Sequence, residues 1–237
     1  SKELGKAAAV FSAQVLNRAI AEKGKARLLM STGASQFDTI EALRDADVEW
    51  DKVEMFHLDE YIGLPETHPA SFRKYLKERF LSYVDIRKAH LVNPDNGVEP
   101  ALELLTREVR AGEIDLGLIG IGENAHIAFN DPPADFETKE AFLVVNLDEA
   151  CKKQQMREGW FATIEDVPKQ AISMSVYQIM QCKTILSCVP YAAKADAVKK
   201  TLESDLTNQV PATMLKTHSN FNLFLDKDSA AKVADKI

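Results

Sequence analysis

The chain has 237 residues, long enough for one large domain whose core needs no disulfide or metal staple. Apolar residues make up 46% and charged residues 27%, and 36 acidic against 29 basic side chains leave a net charge of −7. That balance argues against nucleic acid as the main partner and leaves room only for a local basic pocket. The three cysteines, Cys151, Cys182 and Cys188, show no C-x-x-C spacing and suit a reducing, cytoplasmic setting. No apolar run reaches about 18 residues and the polar start lacks a signal-peptide core, so neither a membrane span nor secretion is expected.

Apolar spacing of three and four predicts a helix over residues 3–22, with Gly24 placed as its C-terminal cap. A strand follows at 26–30, then the turn Ser31-Thr32-Gly33-Ala34-Ser35 and a helix over 36–43. Residues 53–58 read as a strand and 69–81 as a helix with Ser71 near its start. A weak strand at 89–92 precedes a helix over 98–111 and a strongly apolar strand over 114–121, after which 122–136 form a long loop. Residues 142–145 read as a strand and 148–157 as a helix. Residues 168–180 carry a strand passing into a helix, 184–189 a strand, 192–203 a helix and 222–225 a last strand before a short closing helix. Strands alternating with helices predict one α/β domain over 1–237, with a doubly wound, mostly parallel sheet and helices on both faces.

Ligands on such sheets bind beyond the carboxyl ends of the strands. The turn at Ser31–Ser35 offers backbone N–H groups and hydroxyls to a phosphate, or is a plain strand-to-helix turn capped by Ser35. Asp59 and Glu60, after the second strand, are candidates for general acid–base work, or else a solvated pair that holds the next turn. In Gly120-Ile121-Gly122-Glu123-Asn124-Ala125-His126 the histidine reads as a proton shuttle flanked by Asn124 and Asp131, or as a buried imidazole satisfied by loop carbonyls. The glycines, Gly122 among them, suit a tight backbone passage beside a ligand. Lys194 lies near the positive end of a helix, where an anionic ligand would offset an unfavourable position, although a solvated lysine explains it equally.

Two segments carry a resemblance. The run from Phe56 through Asp59-Glu60-Tyr61 to Pro65, with His68-Pro69-Ala70-Ser71-Phe72, and the run Gly120-Ile121-Gly122-Glu123-Asn124-Ala125-His126-Ile127-Ala128-Phe129-Asn130-Asp131-Pro132 together resemble the glucosamine-6-phosphate deaminase (isomerase) family. The Ser31–Ser35 turn, the Val167–Ala171 segment and Lys194 follow in the expected order. The resemblance implies a cytoplasmic enzyme of amino-sugar metabolism that isomerises and deaminates a hexosamine phosphate, using neither metal nor cofactor. It implies no nucleic-acid or membrane partner and is compatible with a homo-oligomer. Asp59 would move the C2 proton to C1, His126 would open the sugar ring, and Asp131 would orient the imidazole. Gly33, Ala34, Ser35 and Lys194 would hold the phosphate, with Ser31, Thr32, Glu60 and Gly122 lining the substrate, and Arg157 is the nearest arginine for the phosphate.

The chain departs from the family at Asn124 and Ala125, where an aspartate and a glycine are usual. An amide carries no charge to stabilise an imidazolium, so His126 is expected to be less basic, with Asp131 as the compensating carboxylate. The chain also ends soon after its last predicted strand, so the longer tail of allosteric hexameric members is not expected. Two other functions fit the same fold: hydrolysis of a 6-phosphogluconolactone-like substrate by a water activated at His126, and non-catalytic sugar-phosphate binding.

Overall fold

The structure, a computed structural model, describes residues 1–236. Its strands are β1 (Ala26–Met30), β2 (Val53–His57), β3 (Asp59–Tyr61), β4 (Lys88–His90), β5 (Leu116–Leu118), β6 (Phe142–Asn146), β7 (Gln170–Met174), β8 (Thr184–Val189) and β9 (Phe221–Leu225). The helices are α1 (Lys2–Lys23), α2 (Phe37–Arg44), α3 (Phe72–Leu76), α4 (Val98–Arg110), α5 (Glu149–Arg157), α6 (Val176–Ile179) and α7 (Ala195–Glu203).

Every residue of β1 and of β8 is buried, so these strands need cover on both faces. Successive side chains of a strand point to opposite faces. Leu28 and Met30 accordingly enter one core with α1, α2 and α3, while Leu29 enters a second with α4, α6 and α7; Leu186 and Ile185 of β8 divide the same way. Helix α1 stops where expected: Gly24 takes φ 74° and returns its N–H to the Ile20 carbonyl. Ser71 caps α3 by accepting from the Lys74 N–H, and Asp148 caps α5 through the Cys151 N–H.

The main sheet has the order β4-β2-β1-β5-β8-β9, parallel throughout. From β1 the chain builds outward to β2 and β4 on one side, and β5, β8 and β9 build out on the other. The order therefore reverses between β1 and β5, and a crevice opens beyond their carboxyl ends. The predicted strand over 114–121 pairs only over Leu116–Leu118, because its neighbour β1 ends at Met30 and turns away.

A second sheet, β3-β7-β6, is antiparallel and was not anticipated. The predicted strand over 53–58 leaves the parallel sheet after His57; Leu58 accepts from the Met174 N–H at 2.7 Å, and Asp59 then pairs opposite Ser173. The chain changes sheets at the residue before Asp59, which fixes that carboxylate at the mouth of the crevice. A small aromatic core of Tyr61, Phe72, Phe129 and Phe161 packs under this sheet. Among the described residues no helix is long and apolar enough to cross a membrane.

Candidate active site

The crevice holds a cleft that, with the open solvent at its mouth, takes in about 570 Å³ and is lined by Ser31, Thr32, Gly33, Ser35, Asp59, Gly120, Gly122, His126 and Lys194. Three strand ends and one helix start thus bring together residues from four distant parts of the sequence. Asp59 is 7% exposed. Burial first, and then the neighbouring Glu60 carboxylate, push its pKa well above the usual carboxylate range. Such a group is a stronger base once ionised than a solvated aspartate.

His126 sits on a loop whose backbone is tied at several points. The Gly122 N–H donates to the His126 carbonyl at 2.9 Å, the Ala212 N–H to the Ala125 carbonyl at 2.9 Å, and Asn130 Nδ2 to the carbonyls of Ile127 and Met174, each at 2.9 Å. Ala125 takes φ 64° and is fully buried, a left-handed conformation that glycine adopts without strain. The alanine departure noted in the sequence therefore occupies a position whose backbone asks for glycine. The imidazole lies flat against Gly122: a Cβ there would stand 2.0 Å from Cε1. Gly122 serves the site by leaving room for the ring.

Asn124 Oδ1 is 2.5 Å from His126 Nδ1 and also accepts the His126 N–H. An amide oxygen only accepts, so Nδ1 carries the proton and Nε2 keeps its lone pair. Asp131 Oδ1 stands 3.5 Å from the same nitrogen. Burial, followed by the positive charge of Lys194, lowers the His126 pKa to about 3. Burial and then the Asp148 carboxylate raise Asp131 to about 7, partly offset by the Asp148 N–H and by Asn124. The imidazole is therefore neutral near pH 7.

At the other part of the cleft Gly33 takes φ 103°, its carbonyl accepts from Tyr75 Oη at 2.8 Å, and open space lies where a side chain would be. Ser31 Oγ is buried with no hydrogen-bond partner among the described residues. Lys194 is 6% exposed, is the N-cap before α7 and makes no ion pair among the described residues; burial depresses its pKa, while Glu158 and Glu123 act the other way. A buried ammonium beside glycine-rich turns suits an oxyanion such as a phosphate.

Three expected ligand residues stand elsewhere. Glu60 is fully buried away from the cleft: it accepts from Ser71 Oγ, from the N–H groups of Tyr61, Phe72 and Arg73, and from Arg73 Nε at 3.0 Å. Its work is to lock β3 to α3. Arg157 points outward, with its side chain 56% exposed and paired with Glu123, and does not line the cleft. Ala34 lies between two lining residues without lining the cleft itself. His57 is also structural: buried, with Nε2 accepting from the Val92 N–H at 2.8 Å and its pKa lowered to about 3 by burial and then Arg73.

Sequence reasoning missed one wall. Gln154, Gln155 and Glu158, from the end of α5, face the cleft. Gln154 Nε2 donates to Glu158 Oε1 at 2.8 Å, the Trp160 indole donates to Glu158 Oε2 at 3.2 Å, and Gln155 Oε1 accepts from Tyr61 Oη at 3.0 Å. The only signal was the four-residue spacing of Gln154 and Glu158, which puts both on one face.

Known proteins resemble this chain over most of its length. The family described as glucosamine-6-phosphate isomerases/6-phosphogluconolactonase matches residues 1–224. A glucosamine-6-phosphate deaminase of Shouchella clausii is 36% identical over 234 residues, covering 95% of this chain and 93% of the relative. One from Staphylococcus epidermidis is 35% identical over 233 residues, covering 94% of each. The solved structure of a monomeric glucosamine-6-phosphate deaminase superposes with a TM-score of 0.88 at 29% identity, over 98% of this chain and 96% of that one. A 6-phosphogluconolactonase of Trypanosoma brucei superposes at 0.79 with 16% identity, over 98% of this chain and 95% of that one, and so shares the fold. The chain belongs to the glucosamine-6-phosphate isomerase/6-phosphogluconolactonase family.

Proposed function

We propose that this protein is a glucosamine-6-phosphate deaminase, converting its substrate and water to fructose 6-phosphate and ammonia. The observation that carries the reading is the single cleft in which a carboxylate of raised pKa, a neutral histidine and a buried ammonium converge. Relatives from Shouchella clausii, Thermoanaerobacter and Staphylococcus epidermidis, each above 30% identity and named as a glucosamine-6-phosphate deaminase, support it.

In this reading Ser31, Thr32, Gly33, Ser35 and Lys194 grip the phosphate. That binding is remote from the reacting carbons and orients the sugar. His126, neutral and with Nε2 free, moves the proton that opens the pyranose ring, while Asn124 fixes its tautomer and Asp131 backs the charge that develops. Asp59 removes the C2 proton of the open chain, giving an enolamine, and returns it to C1. An iminium remains at C2; water adds and ammonia leaves. Each step moves a proton between positions that one fixed carboxylate and one fixed imidazole serve. We read the cytoplasm as the compartment, since all three cysteines are free and buried, as suits a reducing setting.

The test is a parallel assay of ammonia and acid release from glucosamine 6-phosphate, related hexosamine 6-phosphates and a phosphorylated sugar lactone. Ammonia release, with solvent deuterium entering C1 to the extent that the proton held by Asp59 exchanges during its transfer, is the expected result. Acid release from the lactone alone would replace the reading with a hydrolase. Tight hexose-phosphate binding without turnover would replace it with a sensor.

A further inference from the structure

We propose that His126, Asp131 and Cys151 form a binding site for a thiophilic divalent cation, zinc above all, and that a cation bound there switches the enzyme off. One ligand atom from each of the three lies within 4.8 Å of the others. His126 Nδ1 and Asp131 Oδ1 are 3.5 Å apart. Nitrogen and oxygen ligands at about 2.0–2.1 Å on a tetrahedral zinc stand about 3.3 Å apart, so this pair already has the needed bite. With a Zn–S bond of about 2.3 Å the sulfur must close by no more than about 1.3 Å, within reach of a side-chain rotation.

A second observation points to a missing ligand. The Asp131 side chain is only 8% exposed, and its Oδ1 is buried with no hydrogen-bond partner among the described residues. Folded proteins leave few such atoms unsatisfied, because each costs desolvation without return. Burial first, and then the carboxylates of Asp131, Asp148, Asp59 and Glu158, push the Cys151 thiol well above its usual range, so it is protonated until a cation displaces the proton, and the surroundings of the sulfur are negative. A field of that sign favours a dication. One nitrogen, one oxygen and one sulfur ligand suit zinc rather than magnesium or calcium. His126 lines the cleft, which gives the cation an entry path and leaves the fourth position to water. No local spacing announces the site, since Cys151 comes from the first turn of α5 and the other two from the glycine–histidine loop.

Binding displaces the Cys151 thiol proton to solvent and moves the imidazole proton from Nδ1 to Nε2 by exchange with solvent, so that Nδ1 gives up its hydrogen bond to Asn124 for a metal bond. It also engages the imidazole and its backing carboxylate. The effect on turnover rests on the proposed deaminase reading; the binding itself does not.

The test uses the metal-free full chain titrated with Co²⁺ as a spectroscopic substitute for Zn²⁺. One equivalent should produce a near-ultraviolet thiolate-to-cobalt charge-transfer band, which Zn²⁺ then removes. Cys151→Ser should lack the band and keep near-normal metal-free ammonia release. Zn²⁺ inhibition of that variant should be weaker by about 100-fold or more, at or beyond the loss seen on removing a group that only supports a ligand. Cys151→Ala, which buries no hydroxyl, repeats the comparison if the serine variant fails to fold. Absence of the band in folded wild type, or equal inhibition of wild type and variant, overturns the proposal. If the protein releases no ammonia from any substrate, the cobalt band still decides the site.

Discussion

The imidazole of His126 packs directly on the α-carbon of Gly122, so that a β-carbon at that position would stand 2.0–2.4 Å from three of its ring atoms. No side chain but hydrogen fits. Gly122→Ala forces the ring or the loop to move, and the loop is held by hydrogen bonds to Ala212, Asn130 and Ser173. The ring yields first. We expect turnover to fall by about 100-fold or more, the cost of a misplacement near 1 Å. Stability should fall by about 1–3 kcal/mol from overpacking. Retention of full activity would show that His126 does not act from the position described.

Asp59 links activity and stability with opposite signs. Its pKa is raised by burial and by Glu60, so the folded state holds this proton more tightly than the unfolded chain does. Between the unfolded carboxylate value and the raised folded one, the native state binds more protons, and stability falls as pH rises. The base form needed for C2 proton removal grows in over the upper part of that window. kcat should therefore show an acidic limb displaced above the ordinary aspartate range. Asp59→Asn should lose about 10²–10⁴-fold in turnover, the range for a general base. The same variant should melt at a higher temperature than wild type near neutral pH and lose that advantage in acid. A lower melting temperature at every pH would refute the strain assigned to this carboxylate.

Much of this site was legible because the chemistry sits just past strands that are easy to recognise. The apolar runs that become β1 and β5 end in Ser31–Ser35 and Gly120–His126, and the topology makes those ends neighbours. The fate of Glu60 was harder to read. Adjacent residues of a strand face opposite ways, so the carboxylate beside Asp59 had to turn inward, but β3 belongs to a second sheet whose partner β7 lies over a hundred residues away. Arg157 and Glu158 carry the same lesson on a helix. One residue turns the direction by about 100°, which sends the arginine to solvent and leaves the glutamate on the cleft. Without the end of α5 fixed in space, the cation was the more attractive choice for a phosphate.

Asn124 tests how far the proton relay has been weakened. Its amide oxygen accepts from Nδ1 but brings no charge, so an imidazolium formed during ring opening leans on Asp131 at 3.5 Å. Asn124→Asp places a carboxylate at the shorter distance, where an opposite charge stabilises the charged ring. It also sets two carboxylates near each other, which will share a proton. We expect kcat for ammonia release to rise several-fold, by about 1 kcal/mol in the barrier, with KM little changed because neither group touches the phosphate. An unchanged kcat in a properly folded variant would mean that ring opening is not limited by this pair.

The buried pair of Glu60 and Arg73 holds the backbone that carries Asp59, and its removal separates positioning from chemistry. Arg73 Nε is 3.0 Å from Glu60 Oε2 with both side chains essentially inaccessible, and the guanidinium extends to Asn93 Oδ1 at 2.6 Å and Asp95 Oδ2 at 2.8 Å. Arg73→Met keeps the volume and leaves Glu60 charged and unpaired in the interior, a loss of about 3–5 kcal/mol. Glu60→Gln added to that variant removes the stranded charge but keeps only one of the two oxygens that accept from the Ser71 hydroxyl and from the N–H groups of Tyr61, Phe72 and position 73, so only part of the stability should return. Denaturant unfolding of the two single variants and the double variant gives the coupling directly. If the double variant is as unstable as the sum of the singles, the pair acts through packing alone. Recovered stability with turnover still reduced would show that the guanidinium, through Asn93 and Asp95, also sets the angle at which β3 presents Asp59 to the cleft.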